Sequence, residues 1–367
     1  MSGQHYLLPA QVFSVEDYKK LASRRIEASA WCYLESGSAD ELTLAWNTAA
    51  FASIKLVGKT LCDFANANTE LTLLGETFPF PLLLAPVAWH KLFHVEGELA
   101  TCQAASAIGA GMILSTQASM LLEEVAAKAT KPLWFQLYIQ QDRVFTAELV
   151  NRAELAGYKA LVLTIDAPIS GIRNNEQRAN FSLPAGISSV NLAGMQQQPC
   201  ATTNLLDSPL FSGFLANNPT WHEVEWLQSI TKLPVILKGI TSPLDAERAI
   251  QIGVNGLIVS NHGGRVLDTL PASIDLLPAI TRQVADRVPV LMDGGIRRGA
   301  DILKALALGA KAVLIGRPYI YALATAGAVG VVHLLNILRA EFEAAMVLTG
   351  CKCLADINSA VLWADHQ

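Results

Sequence analysis

Residues 235–260 read VILKGITSPLDAERAIQIGVNGLIVS, and this stretch contains one complete unit of the pattern that decides the fold. Two short runs, 235–238 and 257–260, are apolar up to a polar last residue, as expected for strands that are covered on both faces. Between them, residues 243–252 follow a serine, begin with proline and have the apolar spacing of a helix. This order indicates parallel strands that are joined by a crossover helix.

The same alternation continues from about residue 80 to the end of the chain. Eight apolar runs of strand length occur, at residues 81–86, 112–115, 133–138, 160–166, 235–238, 257–260, 288–293 and 312–316. Helical patterns lie between them, for example at 98–108, 147–156, 243–252 and 298–308. Eight strand–helix repeats that close on themselves form a (β/α)8 TIM barrel of the α/β class. We therefore predict a single domain over residues 1–367, with its barrel at 80–367.

Two segments lie outside the repeats. Residues 1–79 are predicted to form a helical extension that packs over one end of the barrel. The long loop after the fourth barrel strand, residues 167–218, carries only one charge between 179 and 218, at Asp207. Loops of this length are usually functional or disordered, so we predict a lid over the C-terminal face of the barrel.

Composition limits the classes of partner. Apolar residues make up 51% and charged residues 16%, which excludes a disordered chain. The net charge of −5 comes without a basic run, so no nucleic-acid partner is expected. The six cysteines are scattered and the first residues do not resemble a signal peptide. We expect a cytoplasmic protein.

One stretch has the composition of a membrane span. Residues 319–337 are almost free of charge and nearly long enough to cross a bilayer. They contain Gly327, Gly330 and His333 and continue directly into charged residues. We predict two packed helices in the core and no membrane span.

Polar side chains follow the predicted barrel strands at the point where each strand ends. In TIM barrels the active site is built at these C-terminal strand ends. The polar residues at these ends are Ser115, Gln136, Tyr138, Thr164, Asp166, Lys238, Ser260, His262, Arg265, Asp293 and Arg317. Because a Lys, a His, two Arg and two Asp converge on one mouth, we predict the active site there.

The loops after the seventh and eighth barrel strands read DGGIR at 293–297 and GRP at 316–318. Barrels often bind phosphate at this place, and glycine amides with guanidinium groups suit such an anion. Phosphate binding is predicted here.

The loop at 260–265, SNHGGR, places His262 and Arg265 three residues apart. Histidine is the usual general base, and arginine is the usual partner of a carboxylate. The pair indicates the deprotonation of a substrate that carries a carboxylate. Lys238 lies in an apolar strand, where its charge needs a partner. It can form a Schiff base or stabilise negative charge that develops on a cofactor.

No metal site is predicted. His90 and His94 have the i, i+4 spacing of zinc-protease ligands, but Lys91 occupies the position of the catalytic Glu in that motif. No Gly-x-Gly-x-x-Gly follows a strand, so a Rossmann domain is not indicated.

With these residues placed, the chain resembles the FMN-dependent 2-hydroxy acid oxidases and dehydrogenases, the family of glycolate oxidase, lactate oxidase, mandelate dehydrogenase and flavocytochrome b2. The resemblance extends from about residue 14 to residue 363. Its most specific part is SNHGGRVLD at 260–268, which is similar to the family's segment around the catalytic His. The other matching segments are YLESG at 33–37, FQLY at 135–138, LTID at 163–166 with Arg173 after it, LKG at 237–239, DGGIRRG at 293–299 and IGRP at 315–318.

The resemblance implies a role for each matching residue. His262 takes the substrate's proton, Asp166 orients and stabilises the imidazolium, and Tyr138 binds the 2-hydroxyl. The groups that hold the substrate carboxylate are Arg265, Arg173 and Tyr33. Lys238 lies beside the N1/O2 edge of the flavin. The residues that contact the flavin and the ribityl chain are Ala88, Ser115, Gln136, Thr164 and Ser260, and those that hold the ribityl chain and phosphate are Asp293, Gly295, Arg297, Gly316 and Arg317.

The resemblance thus implies an FMN enzyme that oxidises (S)-2-hydroxy acids to 2-oxo acids. Residues 86–88 read PVA in place of the family's Pro-Thr-Ala, and Trp89 and Gln117 also change the substrate region, so lactate, glycolate, mandelate and longer acids are not ranked.

O2 is the expected electron acceptor, which makes hydrogen peroxide the second product. The residues before the first strand match the family's own N-terminal helices, and there is no haem-attachment motif and no basic amphipathic helix. A quinone-linked dehydrogenase is the main alternative. An FMN-dependent isomerase and a catalytically inactive flavin-binding module that binds a partner are the others. The resemblance also implies a homotetramer.

Overall fold

The computed structural model describes residues 8, 10–195, 210–211, 215 and 218–363, and its centre is a closed barrel of eight parallel strands. Each predicted apolar run forms one barrel strand, so the predicted TIM barrel is confirmed. The strands follow one another around the barrel in chain order, and the last pairs with the first. The barrel strands are β3 (Leu82–Leu84), β4 (Gly111–Leu114), β5 (Leu133–Leu137), β6 (Ala160–Thr164), β7 (Val235–Ile240), β8 (Gly256–Val259), β9 (Val290–Asp293) and β10 (Ala312–Ile315).

Helices surround the barrel, and the four predicted helical stretches correspond to α4, α6, α9 and α11. The helices are α1 (Val15–Ala22), α2 (Ala28–Glu35), α3 (Leu42–Ser53), α4 (Gly97–Ile108), α5 (Leu122–Ala126), α6 (Arg143–Leu155), α7 (Asn174–Arg178), α8 (Trp221–Ile230), α9 (Pro243–Gln251), α10 (Ser273–Val284), α11 (Gly299–Ala307) and α12 (Arg317–Thr349). Short 3₁₀ helices lie at His90–Leu92, Val190–Leu192, Leu354–Asp356 and Ser359–Val361.

The period-2 alternation of side chains divides the barrel into an outer and an inner core. Leu82 and Leu84 of β3 pack outward in the same cluster as the helices, whereas Leu83 between them points into the barrel. The inner core is completed by Ile113, Trp134, Val162, Ile236, Ile258, Leu291 and Leu314.

The same alternation explains where the polar residues lie. The next inward position on a strand is two residues beyond its apolar core residue, at the C-terminal mouth. Along β7, for example, Ile236 is followed by Lys238, and along β9 Leu291 is followed by Asp293. The residues in equivalent positions on the other strands are Ser115, Gln136, Thr164 and Ser260. The predicted polar mouth is therefore a direct result of strand geometry.

The extension contains one feature that the sequence analysis did not predict. Besides α1–α3, it forms an antiparallel hairpin of β1 (Leu71–Leu73) and β2 (Glu76–Phe78). Its two-residue turn has positive φ at both positions, 51° at Leu74 and 80° at Gly75, as in a type I′ turn. Phe78 packs edge-on against Trp134 at the start of β5, with ring centroids 6.5 Å apart. The hairpin thus closes the N-terminal end of the barrel.

The long loop after β6 is anchored near its middle. Asn191 is fully buried; its Nδ2 donates to Met120 O (3.0 Å), and its Oδ1 accepts from Leu122 N (2.9 Å). Residues 196–209, 212–214 and 216–217 of the predicted lid lie outside the described residues. The lid stays a prediction for them, while the part around Asn191 is held against the barrel.

Among the helices that the structure describes, only α12 is long and apolar enough to cross a bilayer. It is two helices joined at Ala326 and Gly327, where φ is −150° and 58°. It packs against α1, α4 and α11, and most of its apolar stretch is buried inside the protein. The prediction of two packed helices is confirmed, and internal packing accounts for their apolar character.

Candidate active site

A cavity of about 720 Å³ opens at the C-terminal ends of the barrel strands. All predicted site residues except Asp166 and Ser260 line it, and those two lie directly behind His262 and Lys238. A cavity of this size is typical of a small-molecule or cofactor site. The sequence prediction of one shared mouth therefore agrees with the structure.

His262 and Asp166 form a partly buried acid–base pair. Nδ1 of His262 lies 2.8 Å from Oδ1 of Asp166, and the main-chain N–H of His262 donates to Ser260 Oγ (3.0 Å). Burial opposes the ionisation of Asp166, but the contact with His262 and the charge of Lys238 outweigh burial and hold the pKa of Asp166 below the ordinary value. A carboxylate here favours a proton on Nδ1. That tautomer leaves Nε2 of His262 as a proton acceptor.

Gly239 makes room for this pair. Its φ is 109°, and a Cβ built on it would lie only 2.5 Å from Cβ and Cγ of Asp166. The LKG motif at 237–239 therefore needs its glycine for the close approach of strand β7 to the Asp166 side chain.

Arg265 and Tyr33 form one side of the predicted carboxylate clamp. Nη1 of Arg265 donates to Tyr33 O (2.6 Å) and Ser36 O (3.1 Å), and the guanidinium lies 4.9 Å from the Tyr33 ring centroid. Burial lowers the pKa of Arg265 to about 10, which leaves it charged at neutral pH. Tyr33 in turn stacks on Phe181, with centroids 4.7 Å apart. Burial raises the pKa of Tyr33, so its phenol keeps its proton.

Arg173 completes the clamp and brings an acid that the sequence analysis missed. Its Nε lies 2.9 Å from Oε2 of Glu176, and the same oxygen is 3.8 Å from Nη2 of Arg265. The i, i+3 spacing of Arg173 and Glu176 was the available signal, but it is common on exposed helices.

Lys238 is buried and paired. Its Nζ lies 2.9 Å from Oδ2 of Asp293 and donates to Ser260 Oγ (3.0 Å). Although burial opposes its charge, Asp293 and Asp166 raise the pKa of Lys238 above the ordinary value. A Schiff-base lysine must lose its proton easily, so of the two roles left open for Lys238 the structure favours the fixed cation.

A polar row runs across three neighbouring strands. Gln136 Nε2 donates to Thr164 Oγ1 (3.1 Å), and Gln136 Oε1 accepts from Ser115 Oγ (3.3 Å) and from Thr116 N (3.1 Å). These bonds fix the direction of the amide and of the two hydroxyls. The side chains of this row offer hydrogen-bond donors and acceptors that suit the polar edge of a heteroaromatic ring.

The two arginines of the predicted phosphate site differ in their contacts. The Arg317 guanidinium donates to Leu34 O (2.8 Å), Gly263 O (3.0 Å) and Ser36 O (3.2 Å). It therefore ties the end of α2 to the His262 loop. Arg317 and Gly316 also line the cavity, so both stay predicted partners of the phosphate. The Arg297 guanidinium bonds only Ile296 O (2.8 Å) among the described hydrogen bonds and stays a predicted phosphate partner.

Close packing, in addition to anion binding, explains why residue 295 is a glycine. A Cβ at this position would lie 1.9 Å from Asn47 O, so the glycine is required by the close approach of α3. Asn47 was also missed by the sequence analysis. Its amide exchanges two hydrogen bonds with Asn261, at 2.9 and 2.8 Å, and these join the extension to the catalytic loop.

These groups fit FMN. The start of α12 and Arg297 suit a phosphate, and the polar row suits ribityl hydroxyls and the flavin edge. Lys238 supplies a buried cation, and Asp293 Oδ1 has no hydrogen-bond partner in the part of the chain that the structure describes. A buried acceptor without a partner is costly unless a ligand satisfies it.

Replacing Lys238 with Met is expected to weaken the affinity of the bound flavin for sulfite by at least about ten-fold, since a buried cation stabilises negative charge strongly where the local dielectric is low. Titration of the visible flavin absorption with sulfite measures this affinity. Lys238→Arg, which keeps the charge, is the control. Equal sulfite affinity in the parent and Lys238→Met would show that Lys238 does not face the flavin.

Comparisons with known proteins support an FMN-dependent barrel enzyme. A family model described as FMN-dependent dehydrogenase matches residues 22–364. The chain is 46% identical to an L-lactate oxidase of Nostoc sp., covering 94% of this chain and 96% of the relative. It is 44% identical to a 2-hydroxyacid oxidase of Dictyostelium discoideum, covering 96% and 91%. A structure of mandelate oxidase with (S)-2-phenylpropionate superposes with a TM-score of 0.87 at 38% identity, covering 96% and 98%.

Proposed function

Because the chain belongs to the FMN-dependent dehydrogenase family, we propose that it oxidises (S)-2-hydroxy acids with a short aliphatic side chain, of the L-lactate type, and passes the electrons to O2. The reaction class, FMN-dependent oxidation of a 2-hydroxy acid to a 2-oxo acid, is that of the relatives that match nearly the whole chain. The observation that carries the proposal is one cavity that joins the His262–Asp166 pair, two clamp arginines and a buried lysine.

The residues divide the chemistry between them. Arg265, Arg173 and Tyr33 hold the substrate carboxylate and thereby fix the position of the 2-carbon. His262 takes up the proton that the substrate loses, and Asp166 stabilises the resulting imidazolium. FMN, when bound, supplies the two-electron acceptor. Burial, with Asp166 nearby, raises the pKa of Tyr138, so this residue acts as a hydrogen-bond donor to the 2-hydroxyl.

Lys238 would supply a fixed positive charge beside the bound FMN. Its salt bridge with Asp293 fixes the ammonium before any ligand binds, so the charge would stabilise a reduced, anionic flavin without reorganisation.

A rigid cavity wall formed by Trp89 supports the proposal that the substrate has a short side chain. The Trp89 indole lies 5.4 Å from the Tyr33 ring, centroid to centroid, and its Nε1 donates to Ser189 Oγ (2.9 Å). The anchored loop thus prevents the indole from turning away. Gln117 lines the same cavity and adds a polar surface that an aromatic side chain would have to desolvate.

Replacing Trp89 with Leu is expected to raise kcat/KM for (S)-mandelate relative to (S)-lactate by about ten-fold or more, because steric exclusion from a pocket is worth roughly 1–3 kcal/mol. Initial rates of peroxide formation with both acids give the ratio. The Ser189→Ala variant, which frees the indole without removing it, is expected to shift the ratio less. A preference for mandelate in the parent enzyme would contradict the lactate-type assignment.

The relatives named oxidases support O2 as the acceptor. We expect the reduced enzyme to be reoxidised in air-saturated buffer fast enough to sustain turnover, with one hydrogen peroxide per 2-oxo acid. Stopped-flow absorbance after anaerobic reduction measures the second-order rate constant. Reoxidation slower than turnover with a quinone acceptor would make the protein a dehydrogenase.

We also propose a cytoplasmic homotetramer. All the cysteines that the structure describes are free, which suits a reducing compartment. Cell fractionation and light scattering of the holoprotein test the two parts, and a monomer in solution would contradict the second.

A further inference from the structure

The carboxylate clamp contains a negative charge of its own. Glu176 on α7 is 17% exposed in its side chain and lies 2.9 Å from Arg173 Nε and 3.8 Å from Arg265 Nη2, measured from Oε2. The geometry gives Oε2 no hydrogen bond with any described residue. The carboxylate is therefore held against the two guanidinium groups by charge.

Glu176 is kept in this position by the fold. On the same helix, Asn174 Nδ2 donates to Ala39 O (3.3 Å) and Asn175 Nδ2 to Glu41 Oε1 (2.9 Å). These bonds attach α7 to the extension at Ala39 and Glu41. The position of Glu176 relative to the two arginines is therefore fixed by the attachment of α7.

The charges of the clamp match a single carboxylate. Arg173 and Arg265 contribute two positive charges and Glu176 removes one, which leaves one for the substrate. The neighbouring Arg317 has its own acidic partner, since its Nε lies 4.0 Å from Oε1 of Glu35. A carboxylate beside an anion-binding site weakens the binding of anions. The position of Glu176 in the clamp therefore needs a functional explanation.

We propose that Glu176 makes the site selective for 2-hydroxy acids with one carboxylate and excludes dicarboxylates. The proposal rests on the proposed function, because it assigns the selectivity of the same site. Glu176 lies behind Arg173 and Arg265 rather than in the cavity lining, so a second carboxylate beside these arginines approaches its charge. Two other cations of the cavity, Lys238 and Arg317, already have acidic partners in Asp293 and Glu35. Like charges a few ångströms apart repel strongly when water is excluded.

The test uses the holoenzyme and its Glu176→Gln variant with two unreactive probes, oxalate with two carboxylates and propanoate with one. Perturbation of the flavin absorption gives both Kd values. We expect Glu176→Gln to lower the Kd for oxalate about ten-fold more than the Kd for propanoate, because a nearby like charge is removed. The rate of flavin reduction by (S)-malate relative to (S)-lactate should rise in the same direction.

Three further variants serve as controls. Asp245→Asn removes a carboxylate that lines the same cavity but forms no salt bridge with an arginine in the described part of the chain. It is expected to leave the ratio of the two Kd values near that of the parent. Glu176→Asp keeps the charge and should restore the parent's ratio. If Glu176→Gln loses FMN, Glu176→Ala provides a second neutral variant with the same expected result.

Two results would overturn the inference. One is an equal fold-change of the oxalate and propanoate Kd values in the neutral Glu176 variants. The other is a shift of the Kd ratio in Asp245→Asn as large as the shift in Glu176→Gln. Failure of the proposed function has a different signature. A parent enzyme that binds both probes but is not reduced by any monocarboxylic 2-hydroxy acid contradicts the oxidation, while the Kd ratio still decides the role of Glu176.

Discussion

Replacing His262 with Gln is expected to slow the anaerobic reduction of FMN by (S)-lactate by about 100-fold to 10,000-fold, the usual effect of removing a general base. The variant should still bind FMN, because His262 lines the substrate end of the cavity and the predicted phosphate partners lie on other loops. Stopped-flow absorbance of the flavin, with FMN content measured in parallel, checks both statements.

Asp166→Asn is the matched control for this prediction. It leaves the imidazole in place but removes the carboxylate that lies 2.8 Å from Nδ1 and stabilises the imidazolium. Its reduction rate should therefore fall as well, with FMN still bound. Reduction of the His262→Gln flavin within a few-fold of the parent rate would show that another residue is the base.

Replacing Arg265 with Lys is expected to lower kcat/KM by about 100-fold, since misplacing the reacting atom by roughly 1 Å has effects of this size. Lysine keeps the charge but lacks the planar fork that pairs with a carboxylate through two bonds. It also cannot reproduce both bonds of Arg265 to the carbonyls of Tyr33 and Ser36, so the end of α2 loosens. Steady-state kinetics with (S)-lactate measure the loss.

The neutral analogue (S)-lactamide tests the clamp in the parent enzyme. Since the amide cannot pair with Arg265 as a carboxylate does, we expect a much lower kcat/KM for the amide than for the acid. This preference should shrink in Arg265→Lys. Equal rates with acid and amide in the parent would show that the arginines do not bind the carboxylate.

Strand geometry made much of the site predictable from sequence. Because inward positions recur every two residues, Lys238 and Asp293 had to lie at the mouth once their strands were identified. Their pairing was not predicted, since it depends on the distance across the barrel between β7 and β9. That same pairing favours a fixed cation as the role of Lys238, which the sequence alone left open between a Schiff base and a fixed cation.

Residues outside the repeats were harder to predict. Glu176 lies on the short helix α7 within the long loop after β6, where the sequence has no hydrophobic periodicity. Its i, i+3 spacing from Arg173 is common on exposed helices and does not indicate the approach to Arg265. The hairpin β1–β2 has strands of three residues, which are too short to show alternation. Arg317 stays a predicted phosphate partner, but its hydrogen bond to Leu34 O at the end of α2 depends on tertiary packing that no local pattern contains.

The central claim is that one cavity binds FMN and oxidises an (S)-2-hydroxy acid in it. Anaerobic mixing of the purified holoenzyme with (S)-lactate, (R)-lactate and dithionite tests this claim most directly. The account predicts that (S)-lactate bleaches the visible flavin absorption, that (R)-lactate does not, and that pyruvate forms in the amount of FMN reduced. A flavin that dithionite bleaches but that lactate, glycolate and mandelate all leave oxidised would contradict it.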